Sequence, residues 1–476
     1  MKNCVVVRKL DENCGTRPIK TYKQIYNLLD LRGSLVVPSD SARAVTLERR
    51  TAVKLNNVAL SVNLFFELLD KTSVFVFENV SVFGSFTREN CVIDGISGSE
   101  LCQRRLFSFE RAQKDKDDHF TSTIERMTKT GGRIKLGSMT ELCLEGYYVQ
   151  LLPKLHLQEE AEIGLLSLKA EERECLPETG PGTNTIWLGK VKKIMLCDYA
   201  VLFLPRLRLY DENHSAEISL SAPEKEHVSE LLSMQDSSIK LGKTNEVMLD
   251  GYAVDIFHKL VLEKEMRKVY LNMNLEGGLV DEMLQAKNNS VWLGNMEKLI
   301  LSGYCVNALP RLRLEDVMEE IELSATEVSN VYEIIKTKDN SIKLWRVKKL
   351  VLQGFAINAL PKLVLHEEDG IEELVISKVD MVCCFDGVFS PDIDFCFWKI
   401  KRLKIENSAI DVLKIRNGKS CVLDRFEFVP RKEESLFFLK ARHMLSPINI
   451  GKVKQGGFFV SNEIKSALKY IPVDEE

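Results

Sequence analysis

The stretch Ile342–Leu365, IKLWRVKKLVLQGFAINALPKLVL, decides the architecture. Its apolar residues Val347, Leu350, Leu352, Phe355, Ile357, Leu360, Pro361, Leu363 and Leu365 form a frame that recurs through the middle of the chain. The frame opens on a short strand-like phrase, Ile342-Lys-Leu-Trp345. Earlier versions stand at Ile134-Lys-Leu-Gly137, Ile186-Trp-Leu-Gly189, Ile239-Lys-Leu-Gly242 and Val291-Trp-Leu-Gly294. Successive copies lie 52, 53, 52 and 51 residues apart. A fixed period of this kind marks a solenoid, in which each unit buries its apolar face only by stacking on its neighbours.

The same frame holds Met139, Leu142, Leu144, Tyr147, Val149, Leu152 and Pro153, then Val191, Ile194, Leu196, Tyr199, Val201, Leu204 and Pro205. It returns at Met296, Leu299, Leu301, Tyr304, Val306, Leu309 and Pro310, and more weakly at Val247, Leu249, Tyr252, Val254 and Phe257, with His258 in place of the proline. At these residues the chain resembles the leucine-rich repeat family, whose signature is L-x-x-L-x-L-x-x-N/C-x-L. The resemblance implies an α/β repeat solenoid, a leucine-rich-repeat-like horseshoe with a parallel concave sheet, and a non-catalytic role in binding other proteins. The departure from the signature is systematic. Tyr147, Tyr199, Tyr252, Tyr304 and Phe355 occupy the Asn or Cys position. An aromatic ring cannot make the bonds an Asn makes to a turn backbone, so another group is expected to satisfy this turn.

A period of 52 residues is too long for one such unit, so each copy is expected to hold a second strand. Leu166-Ser-Leu168, Ile218-Ser-Leu220, Val269-Tyr-Leu271, Ile321-Glu-Leu323 and Leu374-Val-Ile376 supply it. The last apolar residues of all ten strands then alternate in steps of 22 to 24 and 28 to 30 residues. The longer rungs have helical spacing, as in Val328, Val331, Ile334 and Ile335, and the shorter ones continue extended past their Leu-Pro, which predicts short helices on alternate rungs. Residues 1–130 read as an irregular N-terminal capping region, with Val53-Lys-Leu55, Phe75-Val-Phe77 and Phe107-Ser-Phe109 as early rungs. Residues 131–385 read as the regular solenoid and 386–476 as degenerate rungs and a cap. Here Leu403-Lys-Ile405, Phe426-Glu-Phe428 and Val460 with Leu468 continue the pattern, all in one continuous body.

The 45% hydrophobic and 28% charged content is ordinary for a soluble protein, and no apolar run approaches the ~18 to 20 residues that span a bilayer. The N-terminus, with only Val5-Val-Val7 before charges resume, lacks the apolar core of a secretory signal, so a cytoplasmic or nuclear setting is expected. The 12 cysteines are scattered and include no C-x-x-C pair, which predicts neither a metal site nor a disulfide framework. A net charge of −4 and a pI near 6.1 argue against a nucleic-acid partner. The seven histidines have no partner spacing, and no G-x-S-x-G, Walker loop or H-E-x-x-H is present, so neither an enzyme nor a cofactor is expected. The competing architecture, a parallel β-helix of the carbohydrate-active kind, calls for aspartates converging on one face, where this sequence has apolar and basic stripes.

Side chains in a strand alternate, so the residue between the two core leucines faces the open side of the sheet. Those residues are Cys143, Met195, Met248, Ile300 and Val351 in one rung type, and Ser167, Ser219, Tyr270, Glu322 and Val375 in the other. A partly apolar band of this kind is a candidate protein-binding surface, and buried packing is the competing reading. A basic stripe follows the Leu-Pro, with Lys154, Arg206, Lys259, Arg311 and Lys362 joined by Arg208 and Arg313. An acidic ladder follows it in turn at Glu159-Glu160, Asp211-Glu212, Glu263, Glu315-Asp316 and Glu367-Glu368-Asp369, so mutual pairing is expected there. Met195, Met248, Tyr270, Ile300, Glu322 and Val351, with Arg206 and Arg311, are the candidate partner-binding residues. The segments Lys114 to Gly132 and Glu171 to Asn184 break the period and read as protruding loops, a second place for a partner.

Overall fold

The computed structural model describes short pieces of residues 8–109 together with residues 134–474, except 158–160, 178–185, 188, 209–215, 262–265, 275–283, 286, 294–295, 315–316, 345–346, 366–370, 378–399, 407–421 and 430–446. The chain divides into two compact units, Met1–Thr244 and Asn245–Glu476. Each is a repeat-like α/β body built on a parallel ladder with few helices.

In the first unit the ladder runs through Val58–Ser61, Val80–Phe83, Leu106–Phe109, Met139–Glu145, Glu162–Ala170, Lys190–Asp198 and Ala216–Ala222, each parallel to the next. Arg8–Lys9 lies antiparallel along the first of these strands. In the second unit the ladder runs from the strand Thr244–Gly251 through Lys268–Met273, Lys298–Gly303, Met318–Ala325, Val347–Gly354, Glu373–Ser377, Arg402–Glu406, Arg425–Val429 and Phe458–Phe459, again all parallel. The register carries equivalent residues into line. One inner column holds Leu142, Leu166, Ile194 and Ile218, and its neighbour Leu144, Leu168, Leu196 and Leu220. In the second unit the two columns run Val247, Val269, Leu299, Ile321, Leu350, Leu374, Leu403, Phe426 and Leu249, Leu271, Leu301, Leu323, Leu352, Ile376, Ile405, Phe428. All of these residues are buried. Each contributes about 1.5–3 kcal/mol on removal from water, and a slip of one residue would turn the whole row outward.

The landmark phrases themselves are not ladder strands. Ile186–Trp187 pairs with Leu207–Arg208, Val291–Trp292 with Leu312–Arg313, and Ile342–Leu344 with Leu363–Leu365, all parallel, forming short second-side pairs one corner away from the ladder. This corrects two early-rung assignments. Ala52–Leu55 and Ser73–Val76 belong to a second-side sheet with Ile134–Leu136 and Leu155–Leu157, and the ladder strands begin five residues beyond Val53 and Phe75, at Val58 and Val80. Both strand types alternate with period two, so only the five-residue offset, repeated between Ile134 and Met139 or Ile342 and Val347, separates them in sequence.

Helical turns also occur on both rung types instead of on alternate ones. The longer rungs carry the α-helical turns Ser229–Leu232 and Tyr332–Lys336, each continuing a 3-10 turn. The shorter rungs carry 3-10 helices at Gly146–Lys154, Tyr199–Arg206, Tyr252–Lys259, Tyr304–Arg311 and Phe355–Lys362. Buried residues there recur three apart, as in Val201 and Leu204, Val306 and Leu309, or Ile357 and Leu360, which matches the three residues per turn of a 3-10 helix. Such helices have poor hydrogen-bond geometry and seldom exceed one turn. Here burial of nearly the whole segment, Ala200 to Leu204 for example, offsets the weak bonds.

Candidate interaction face

The side chains between the inner columns form a third column on the open face of each ladder. In the first unit Cys143, Ser167, Met195 and Ser219 stand in register. In the second unit the column reads Met248, Tyr270, Ile300, Glu322, Val351, Val375, Lys404 and Glu427. Nearly all are half-buried, as expected for side chains standing on a sheet and touching only their flanking rungs. Val351 is buried at 7%.

Two further rows flank this column in the second unit. On one side stand Glu246, Lys268, Lys298, Glu320, Lys349, Glu373, Arg402 and Arg425. Their charges are tied across rungs. Lys268 meets Glu246 at 3.5 Å, Lys298 meets Glu320 at 2.9 Å and Glu322 at 3.7 Å, and Lys349 meets Glu320 at 3.3 Å. Burial pushes the Glu320 carboxyl up, and the Lys298 and Lys349 ammonium groups outweigh it, leaving the group below the usual glutamate value. On the other side Asp250, Asn272, Ser302, Ser324 and Gln353 form a row of hydrogen-bonding groups. Asn272 donates to Asp250 Oδ1 at 2.6 Å, Asn274 donates to Asn272 Oδ1 at 2.8 Å, and Gln353 donates to Glu322 Oε1 at 2.7 Å. The apolar strip Met248, Tyr270 and Ile300 therefore lies between an ionic row and an amide-hydroxyl row, each held in place by its own neighbours.

The basic stripe lies elsewhere. Arg311 ends its 3-10 helix where the chain enters the second side, away from the Met248–Val351 column, and Arg206 ends the equivalent helix of the first unit. Arg311 donates through Nε to the Leu284 carbonyl at 3.1 Å and through its terminal nitrogen to Asn288 Oδ1. Lys362 binds Asp339 at 2.5 Å. The backbone repeats the same clamp. Asn289 and Ser290 donate to the carbonyls of Pro310 and Arg311 at 3.1 and 3.0 Å, and Asn340 and Ser341 to those of Pro361 and Lys362 at the same distances. Asn289 and Asn340 take φ of 57° and 54°, the left-handed conformation that asparagine tolerates best after glycine. The Leu-Pro-basic phrase is thus a fastener for the turn ahead of the landmarks at Val291 and Ile342. Lys154, Arg206 and Lys259 are also engaged. The acidic ladder residues at 159–160, 211–212, 263, 315–316 and 367–369, and the loop from Lys114 to Gly132, lie outside the described residues.

The turn that lacks its asparagine at the aromatic position finds one three residues later. Asn307 Nδ2 donates to the Ser329 carbonyl at 2.9 Å, and Asn307 Oδ1 accepts from the Glu333 N–H at 2.9 Å, so one buried amide ties a shorter rung to the helical turn of the next. Gln150 makes the equivalent donation to the Glu174 carbonyl at 2.7 Å. Asp255 and Asn358 fill the same place, both buried, with Leu202 as the apolar exception. The recurring polar residue three positions past the aromatic was the signal that could have located this tie.

Two of the described cysteines have raised thiols. Burial, with Glu141 and Glu145 adding to it, pushes the Cys143 thiol up to about 11, and burial holds Cys305 well above its ordinary value. Among the described residues no group of three His, Cys, Asp or Glu side chains is placed to hold a metal, and no helix is long and apolar enough to cross a membrane. No protein-family model matches the chain, and no curated protein or solved structure matches it.

Proposed function

We propose that the chain is a leucine-rich-repeat-like scaffold without catalytic activity, which binds a protein partner through the open face of its second-unit ladder. The observation that carries this reading is the half-exposed strip Met248, Tyr270 and Ile300, kept in register and bordered by ionic and amide rows that are already bonded internally. A surface organised in advance loses little side-chain entropy on docking, and an aromatic such as Tyr270 at its centre is the usual kind of anchor. Glu322 and Val351 extend the strip, Met195 occupies the equivalent column of the first unit, and Arg311 stays outside the docking area as a fastener. The test is affinity capture with mass spectrometry on the wild type and on a Met248→Glu, Ile300→Glu variant whose fold is checked by circular dichroism. Loss of a specific co-purifying protein from the folded variant supports the face. Capture of an unchanged partner set would sink it.

A further inference from the structure

We propose that His227 is a proton-operated latch: neutral, it caps the helical turn Lys225–Leu232, and protonated, it releases that turn and turns to Asp198. The equivalent turn of the later long rung shows what the position must do. There Asn330 Oδ1 accepts the backbone N–H groups of Thr326 at 3.1 Å and Glu327 at 3.0 Å. The phrase Ser324-Ala-Thr-Glu-Val-Ser-Asn330 corresponds to Ser221-Ala-Pro-Glu-Lys-Glu-His227. Pro223 replaces Thr326 and has no N–H, so only the Glu224 N–H remains to be met, and His227 Nδ1 accepts it at 3.3 Å. An amide oxygen accepts at any ordinary pH. An imidazole has an acceptor nitrogen only while neutral, and imidazolium would set two donors against each other here.

The surroundings supply a place for the cation. His227 is 4% exposed and its ring meets that of Tyr199 edge to face at 4.5 Å. Tyr199 follows Asp198, which interacts electrostatically with His227. Asp198 stands at φ 58° and ψ −136°, where the other copies have Gly146, Gly251, Gly303 and Gly354 at φ between 59° and 63°. A carboxylate held in a conformation that glycine takes freely, beside the only histidine at the capping position, is an arrangement the other described rungs do without. The remaining charges nearby are committed or local. Glu224 and Glu226 belong to the turn itself, and Lys169 and Glu171 of the preceding rung reach Asp198. On the strand Ala216–Ala222, Glu217 binds Lys193 at 3.3 Å, and on the helical turn Glu230 binds Arg173.

The experiment is hydrogen–deuterium exchange of the full chain at pH 7.5 and 5.5, corrected for intrinsic exchange. The readout is the exchange of residues 224–232 relative to 327–336, whose Asn330 cap does not titrate. Acidification is expected to speed the ratio about tenfold, the scale of losing one helix cap. In His227→Asn the ratio should stay flat. A flat wild-type ratio, or a pH response that persists in His227→Asn, overturns the latch. The wild-type comparison of the two turns decides the matter even if a variant fails to fold.

Discussion

At the scale of single residues, the strongest constraints fall where backbone and side chain disagree. Asp198 holds a glycine conformation, so Asp198→Gly should raise stability by about 1–2 kcal/mol in chemical denaturation. Burial raises the Asp198 carboxyl above its ordinary value, with His227 and Lys169 opposing, so the folded state binds its proton more readily than the unfolded chain. The penalty is therefore present at neutral pH and fades as pH falls through the raised value towards the ordinary one. The gain from Asp198→Gly should accordingly shrink in acid, and a gain that grew there would contradict this sign. Gly303 is the opposite case, since a Cβ there would strike the Met273 carbonyl oxygen and Asn274 Oδ1. Asn307→Ala strands the Ser329 carbonyl and the Glu333 N–H and should cost about 1–3 kcal/mol. An unchanged melting temperature would show that water replaces the amide. The polar residue three positions past the aromatic marks where such a tie could sit, but Leu202 interrupts the series where 307 is asparagine, and its partners, Ser329 and Glu333, become visible only once the rungs are stacked.

At the scale of elements, sequence and structure agree where alternation and period act together. The pairs from Leu142 and Leu144 to Leu374 and Ile376 were legible because a buried column requires the same two positions in every rung. The landmark phrases were harder to place. Second-side strands and ladder strands share an alternating pattern, so Val53 and Phe75 read as ladder although they lie on the second side. The 3-10 helices hid behind their Leu-Pro, which reads as extended chain until the three-residue spacing of Val306 and Leu309 is considered. For the basic stripe the sequence records the charge of Arg311 and not its bonds to Leu284 and Asn288. The Lys298–Glu320–Lys349 cluster makes an element-level prediction. Glu320 sits below its ordinary value, so the stabilisation it brings is present above that value and lost as pH falls through the folded one. Glu320→Gln should cost about 1 kcal/mol at pH 7, discounted for partial exposure, and nothing near pH 3. Equal loss at both pH values would assign the effect to packing.

At the scale of the whole molecule, each described rung leans on its immediate neighbours, and the energetics of such arrays are close to a sum of nearest-neighbour terms. Leu301→Ala, which empties part of a fully buried column, should cost about 2–5 kcal/mol. Its exchange footprint should centre on Lys268–Met273 and Met318–Ala325 and fade beyond them. A uniform loss of protection across the second unit would instead mean that the unit unfolds as one block. The parallel ladder also has a mechanical consequence. Its strands are joined in chain order, with 22 to 30 residues from one inner-column residue to the next, so a tether pulling on one end of a unit loads one rung at a time. Stretched in this way, the unit would lengthen in discrete steps of roughly 75–100 Å, one for each rung released.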